Sequence, residues 1–531
     1  MALKFAALAA AVGLAAGGLT VGMTALPAGS AHAADPKPGG SLVIRMNSDI
    51  RGTDGFNRDS NTDTILHHIF ESLVGYRADL TVGPALADPW EISDDGKTYT
   101  FTLRDGATFH DGTPVTAADV KRSWEWRMNP EKEWRCASAF DGSQGIEVVS
   151  VEPVDDGTVA FTLAEPSGLF LMQMANFQCN NWVASEKNFD ADGNWIADSA
   201  IGTGPFTLKD WRKGESITLA KYGDYTPLPE PASGYAGDRT AYVDEVKFQI
   251  IPDTAVAETA LYAGEVDILP GLDGQKIEEA KGNGIKVLTS EGLQWTPILF
   301  QTRDELMSDP KFRKAIAHAV DINQIADART GGLVKGNPSV VGRAMAFFDE
   351  DFLVWPEYDP AKTKALLEEI GYDGAPLKIQ TNTKYQGMYE NSVLLQAMLA
   401  AAGINAELEV LDWGAQLDNY LSGDFQVQSF GYSARLDPSL MYGKLIGNKD
   451  DSATRQWEND EAYELYLKTL KTTDFEERKA LFKKIHALMA EDVPILGLYF
   501  EPVVEAVQPE VEGYEAWAGD KTRAWGVWLN D

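Results

Sequence analysis

The chain opens with an apolar leader, and that leader decides where everything after it has to fold. Met1 to Lys4 carry one cation, Phe5 to about Met23 carry no charge, and Pro27 and Gly29 then break the run. Ala31-His32-Ala33 places small residues at both positions that a signal peptidase reads. The pattern predicts a secretory signal over residues 1–33, cleaved after Ala33. A membrane anchor would have about the right length, but the run is rich in Gly and Ala and ends at a cleavage site. No Cys stands near that site to take a lipid. No later run approaches the ~18 apolar residues that would span a bilayer. The mature chain is therefore expected to be exported and soluble. Its two cysteines, Cys136 and Cys179, then meet an oxidising compartment, where an even count suggests one disulfide. The bond would be worth about 3–4 kcal/mol in the chain-entropy model. The alternative is two buried thiols.

A chain of 531 residues exceeds what one hydrophobic core supports, so more than one lobe is expected. Hydrophobic residues at 44%, with 14 Trp, exclude a disordered chain. A net charge of −34 argues against binding nucleic acid or an anionic membrane surface, both of which need clustered Lys and Arg. Up to about residue 300 the text is largely strand-like, as in Ser41–Arg45, Thr98–Leu103, 148–151, Thr158–Leu163, 216–220 and 246–251. Beyond it, helical periodicity appears at 310–320, 360–370, 388–402, 462–470 and 475–490, interleaved with strands near 377–380, 406–410 and 426–430. Such alternation reads as α/β. From Pro494 the strand-and-loop text returns, as though the chain rejoined its first lobe.

Motifs for catalysis are weak. His67-His68 with Glu71 lacks the His at i+4 that a helical zinc motif needs. His110-Asp111-Gly112-Thr113 reads as a turn. No G-x-S-x-G elbow, P-loop or dinucleotide fingerprint occurs. No cofactor is indicated.

Three long motifs stand close together: Pro84-Ala85-Leu86-Ala87-Asp88-Pro89-Trp90, then Asp94-Asp95-Gly96-Lys97-Thr98-Tyr99-Thr100-Phe101-Thr102-Leu103-Arg104, then Phe109-His110-Asp111-Gly112-Thr113-Pro114-Val115 running on to Thr116-Ala117-Ala118-Asp119-Val120. Shorter ones follow in order: Gly202-Thr203-Gly204-Pro205-Phe206, Ala263-Gly264-Glu265-Val266-Asp267, Asp309-Pro310-Lys311-Phe312-Arg313, Asp359-Pro360-Ala361-Lys362 and Gly431-Tyr432-Ser433-Ala434-Arg435-Leu436-Asp437-Pro438. Together they resemble family 5 of the extracellular solute-binding proteins, the dipeptide- and oligopeptide-binding type that serves ABC importers. The physical reading of the first three is scaffold: Asp95-Gly96 and Asp111-Gly112 are turn signals, and Thr116 with Asp119 resembles a capping box.

The resemblance implies an α/β fold of two lobes with a hinge and a ligand cleft between them. Residues 34–297 would form lobe I, enlarged by a subdomain at about 81–200; residues 298–491 would form lobe II; residues 492–531 would return to lobe I. It implies a monomer in the periplasm that captures a peptide or peptide-like solute and delivers it to a permease and ATPase complex in the inner membrane. An opine, a sugar phosphate, or a metal or haem complex are other ligands within the family. A secreted hydrolase, or a receptor or chaperone using the same cleft, are readings from other classes.

In peptide-binding relatives an aspartate after a Gly-Trp pair holds the ligand's α-amino group. Here Tyr432 replaces that Trp, Arg435 falls where the aspartate belongs, and Asp437 follows two residues later. A guanidinium is a planar fork suited to carboxylate or phosphate. Arg435 is thus expected to bind an anionic group, with Asp437 holding an ammonium or organising Arg435; alternatively the two pair only with each other. Further candidates are Trp413, as a stacking platform or core; Trp295 and Gln301, flanking the first crossing between lobes; Asn47 and Asp49, ending the first strand; and Lys384 with Tyr385, where some relatives supply a cation for the ligand carboxylate.

Overall fold

Alternation in Ser41–Met46 puts Leu42, Ile44 and Met46 on one buried face. In this computed structural model, which describes residues 35–56 and 59–530, that segment is one strand of a ten-stranded sheet. The leader over residues 1–33 and its cleavage site lie outside the described residues. The strands are β1 (Ser41–Met46), β2 (Phe206–Arg212), β3 (Ser216–Lys221), β4 (Glu245–Ile250), β5 (Ile268–Pro270), β6 (Lys286–Phe300), β7 (Leu377–Asn382), β8 (Ala406–Leu411), β9 (Val427–Ser429) and β10 (Ile495–Val507). Their order across the sheet is β8-β7-β9-β6-β10-β5-β1-β4-β3-β2.

This order gives two lobes. β1 runs parallel to β4 and β5 on one side; β7 runs parallel to β8 and β9 on the other. Only the long antiparallel pair β6 and β10 belongs to both. Lys286–Glu291 faces residues 502–507, where β5 joins, and residues 295–299 face Ile495–Phe500, where β9 joins. Between Glu291 and Trp295 the register slips. The end of the chain thus does return to the first lobe's strands.

Between β1 and β2 sits a separate four-stranded antiparallel sheet made of Ala87–Ile92, Thr98–Leu103, Val148–Asp155 and Thr158–Leu163. Gly96 makes its first hairpin turn in the left-handed region that glycine favours. Thr116 opens helix Ala117–Met128 by donating its backbone N–H to Asp119 Oδ2 at 2.9 Å. Cys136 and Cys179 are bonded to each other here.

Beyond β6, helices Pro310–Ala319 and Pro360–Glu369 begin with an aspartate cap followed by proline, whose missing N–H costs nothing at that position. Phe312, Ile316, Leu395 and Leu399 close a core on Ile298, Leu377 and Ile379. Shorter helices escaped the periodicity reading: α1 (Ser60–Ile69), α2 (Trp413–Ser422) and α3 (Pro438–Leu445). The hairpin of α4 (Asp460–Lys471) and α5 (Phe475–Asp492) reaches the inserted subdomain, where Gly168 N–H donates to Leu470 O at 2.9 Å. A Cβ on Gly168 would lie 2.0 Å from Thr472 O, so only glycine fits.

Candidate functional site

In an α/β sheet, ligands gather beyond the carboxyl ends of parallel strands, where the connections part. The three parallel strands of the second lobe end at Asn382, Leu411 and Ser429, and the segments leaving them carry Lys384 and Tyr385, Trp413, and the Gly431–Pro438 loop. Residues chosen far apart in sequence are thus brought to one edge. Their rings form a run: Tyr385 to Trp413 at 4.9 Å, Trp413 to Phe430 at 5.9 Å, Phe430 to Tyr432 at 5.2 Å and Tyr432 to Trp295 at 6.2 Å. Exposure falls along it. Tyr385 is 44% exposed, Trp413 is half-buried, and Tyr432 and Trp295 are buried. Lys384 Nζ lies 5.7 Å from the Tyr385 ring centre.

A cavity of about 470 Å³ opens beside this edge. Ser60, Gly271 and Lys521 line it from the first lobe, Leu293 and Glu501 from the crossing strands, and Ser433 and Ala434 from the second lobe's loop. A polar cavity of about 530 Å³, holding Asn47, Arg51 and Asn61, shares Ser60, Gly271 and Asp520 with it. Asn61 Nδ2 donates to Asn47 Oδ1 at 2.8 Å, so Asn47 stands at the cavity on a fixed partner.

Arg435 is half-buried, and no carboxylate lies within ion-pair distance among the described residues. Its Nη1 donates to Ser433 Oγ at 2.9 Å, Ala434 O at 3.1 Å and Ser433 O at 3.2 Å, all in its own loop. Burial lowers the guanidinium's pKa below its ordinary value. An Arg carrying charge without a counter-ion, in the loop whose Ser433 and Ala434 line the cavity, is chemically equipped for an anionic group.

Four expectations need correction. Asp437 neither pairs with Arg435 nor faces the cavity: it is fully buried, its Oδ1 capping α3 through Ser439 N–H at 2.9 Å and pairing with Arg478 Nη2 at 2.9 Å. Asp49 is consumed by scaffold bonds from Ile50 N, Trp211 Nε1 and Gly214 N, which tie the β1 loop to the β2–β3 hairpin. Trp295 is fully buried and exchanges backbone bonds with Tyr432, at 3.2 and 2.8 Å, which places it in the core rather than on a ligand. Gln301 lies past the crossing, because the chain has joined the second lobe by Trp295. It bonds Gly423 O and Lys449 Nζ at 2.8 and 2.6 Å, in a different cavity of about 900 Å³ toward the amino ends of β7 and β9.

Residues missed by sequence reasoning are Ser60, Glu501 and Lys521. Glu501 interrupts the apolar run Ile495–Val507 at the crossing, which was a readable signal; burial raises its carboxyl above the ordinary range, partly opposed by Arg329. Lys521 is buried and donates to Ser60 Oγ at 2.6 Å, fastening the C-terminal segment to the start of α1. Glu291, at the register slip, accepts from Arg343 N–H at 2.6 Å, and burial raises its carboxyl too. The histidines at 67, 68, 110, 318 and 486 each bond a backbone carbonyl, and Glu71 pairs with Arg104 at 2.9 Å in the interior. No group of three or more His, Cys, Asp or Glu among the described residues could hold a metal. The arrangement offers both charge signs, from Lys521 against Glu501 and Asp520, around a cavity that two lobes share. It suits capture of a small polar solute.

The sequence pattern described as "Bacterial extracellular solute-binding proteins, family 5 Middle" matches residues 81–453. The chain belongs to this family. A probable peptide ABC transporter periplasmic-binding protein, y4tO, of Sinorhizobium fredii is 30% identical to this family 5 protein over 81% of the chain and 82% of its own length. HbpA2 from Haemophilus parasuis superposes on it with a TM-score of 0.80 at 25% identity, covering 92% of this chain and 100% of that one. The periplasmic binding protein DppA from Helicobacter pylori, solved with the peptide STSA, gives 0.68 at 27% identity over 93% and 99%. The two-lobed α/β fold of this family 5 protein is therefore the fold of those solved relatives. No helix among the described residues is long and apolar enough to cross a membrane.

Proposed function

We propose that this family 5 protein is the exported, monomeric, non-catalytic binding component of an ABC importer, capturing a peptide or peptide-like solute that bears an anionic group. The observation that carries the reading is the cavity of about 470 Å³ walled by both lobes and by both crossing strands, with Ser433 and Ala434 of the Arg435 loop in its lining. Relatives described as peptide-binding support the ligand class. The leader would be removed after Ala33, placing the mature protein in the periplasm, where it hands its ligand to a permease and ATPase complex. Lobe I would run from residue 34 to the crossing at 291–295, a few residues short of the 34–297 expected, with its insert at about 81–200; lobe II would run on past the expected 298–491 to about 500, and the rest of 492–531 would be the return. Ligand favours the closed arrangement because only there do groups from both lobes touch it. The Glu291–Trp295 slip opposite Glu501 is the natural hinge.

Native mass spectrometry of the purified mature protein, then denaturation and identification of the released molecule, tests this. An intact peptide or peptide-like anion is the expected result. At about 100 times its Kd that molecule should stabilise the protein by roughly 2.7 kcal/mol. A sugar, or a molecule the protein chemically alters, would overturn the reading.

A further inference from the structure

The inserted subdomain buries a cation for which the described residues supply no counter-charge. Arg127, in the last turn of helix Ala117–Met128, is 3% exposed, and no carboxylate among the described residues lies within ion-pair distance of it. Its Nη1 donates to Ser123 O at 3.0 Å, one turn back, while its Nη2 has no acceptor among the described residues. The Trp182 ring centre lies 4.4 Å from the guanidinium carbon, an attraction that offers a quadrupole but no charge. Acids on neighbouring elements are engaged elsewhere: Asp119 pairs with Arg122 at 2.8 Å, and Asp63 accepts from Asn180 Nδ2 at 3.1 Å. Burial pushes the Arg127 guanidinium down to about 9. Buried charges are ordinarily paired, because burying one alone costs far more than a hydrogen bond returns.

A cavity of about 10 Å³, the room of one water-sized sphere, adjoins this group. Ser123, Trp124 and Arg127 line it from the helix, and Asn181, Trp182 and Val183 from the segment facing it. Trp182 is 1% exposed, and its Nε1 also has no acceptor among the described residues. Asn181 Nδ2 donates to Met174 Sδ at 3.1 Å, a weak acceptor. The wall is therefore rich in N–H groups that want a partner. A water accepts such bonds but brings two protons of its own and no charge. A halide accepts from every side and neutralises the guanidinium.

We infer that this cavity is a structural anion site, taking one halide between Arg127 and Trp182. Its place says what the ion does. Trp182 bridges back to Ser72, and Val183 N–H donates to Glu71 O at 3.0 Å, so the segment facing the helix lies on the seam between the insert and the first lobe. The ion clamps the helix to that seam. The site shares no wall residue with the cavity that the two lobes enclose, so the inference holds whatever the solute.

The test is urea unfolding of the full mature protein as chloride replaces gluconate at constant ionic strength. The urea midpoint should rise and then level off, since an ion at about ten times its Kd raises the folding constant about 11-fold. Arg127→Met keeps an unbranched side chain, removes the charge and should abolish the rise. Crystals of the unmodified protein grown in bromide give a readout that needs no variant: anomalous scattering should place bromide between Arg127 and Trp182. Absence of a chloride effect, an effect that never saturates, or one that survives in Arg127→Met overturns the site. Bromide on surface cations with none in the cavity means an adventitious ion only, and overturns it as well.

Discussion

Arg435 and Asp437 stand two residues apart in one loop, yet the structure gives them different work. Among the described residues the Arg435 guanidinium bonds only to oxygens of Ser433 and Ala434, which leaves its charge without a carboxylate partner there. Reversing it with Arg435→Glu should lower affinity for the captured anion at least tenfold, since a charge-assisted hydrogen bond contributes about 1.5–3 kcal/mol. Stability should move by no more than about 0.5 kcal/mol, as for other substitutions outside the core. Titration of the recovered ligand alongside denaturant unfolding separates the two effects; unchanged affinity removes Arg435 from the site. Asp437→Ala should do the reverse. It strips the cap from α3 and leaves Arg478, 1% exposed in its side chain, as an uncompensated buried charge. Breaking such a pair costs about 3–5 kcal/mol, which urea unfolding would register as a lower midpoint with an unchanged slope.

Strand β10 carries two carboxylates in an otherwise apolar run, and they differ in what burial does to them. Glu501 sits at the crossing beside the cavity, while Glu505 lies deeper, its Oε1 accepting from Tyr514 Oη at 2.9 Å. Burial pushes the Glu505 carboxyl up to about 7, and the Tyr514 hydroxyl works against that shift. A carboxyl raised above its unfolded value of about 4.3 contributes stability that is present below that value and lost as pH rises through 7. Between pH 5 and pH 8 the unmodified protein should therefore lose stability relative to Glu505→Gln, which cannot ionise, by about 1–3 kcal/mol. Parallel unfolding curves at the two pH values would contradict it. At this scale the sequence was informative where the period was long and uninterrupted. Thr98–Leu103 and Thr158–Leu163 are strands with the expected ends, and 310–319 is a helix. It was silent on α1 and α3, eight to ten residues long, where His67, His68 and Ser439 are polar yet buried and hide the apolar stripe. The candidate site divides for a related reason. The segments 384–385 and 432–435, which leave strand ends, were singled out through the family resemblance, and Trp413 only as an aromatic opening the stretch before the second of them. Which side chain turns toward the cavity was not legible. Asp49, Trp295 and Asp437 are held by partners 41 to 165 residues away, and no local pattern reports those.

The molecule as a whole rests on β6 and β10, because no other strand of the sheet is shared by both lobes. Gly292, in the slip between them, is packed so that a Cβ there would come 2.6 Å from Glu501 O. The crossing therefore has little room to shear, and bending at the slip is the motion left to it. The contact of Gly168 with the turn after α4 is as close, and it lies on the insert rather than on the sheet. A hinge at one place and a fitted backbone contact at another define two arrangements rather than a continuum, since packed interfaces switch between states instead of deforming smoothly. Solute that touches Ser60 or Lys521 from one lobe and Arg435 from the other binds only one of those arrangements well, and it shifts the population by its difference in affinity for the two. Small-angle scattering of the mature protein, first stripped of ligand by unfolding and refolding and then given back the molecule recovered from it, should show a smaller radius of gyration when loaded. Replacing Gly168 with Val, whose side chain cannot fit against Thr472 O, should leave the loaded protein at the larger radius and weaken binding. Identical scattering with and without ligand would mean that the cavity is filled without closure, and the crossing strands would then be a rigid frame rather than a hinge.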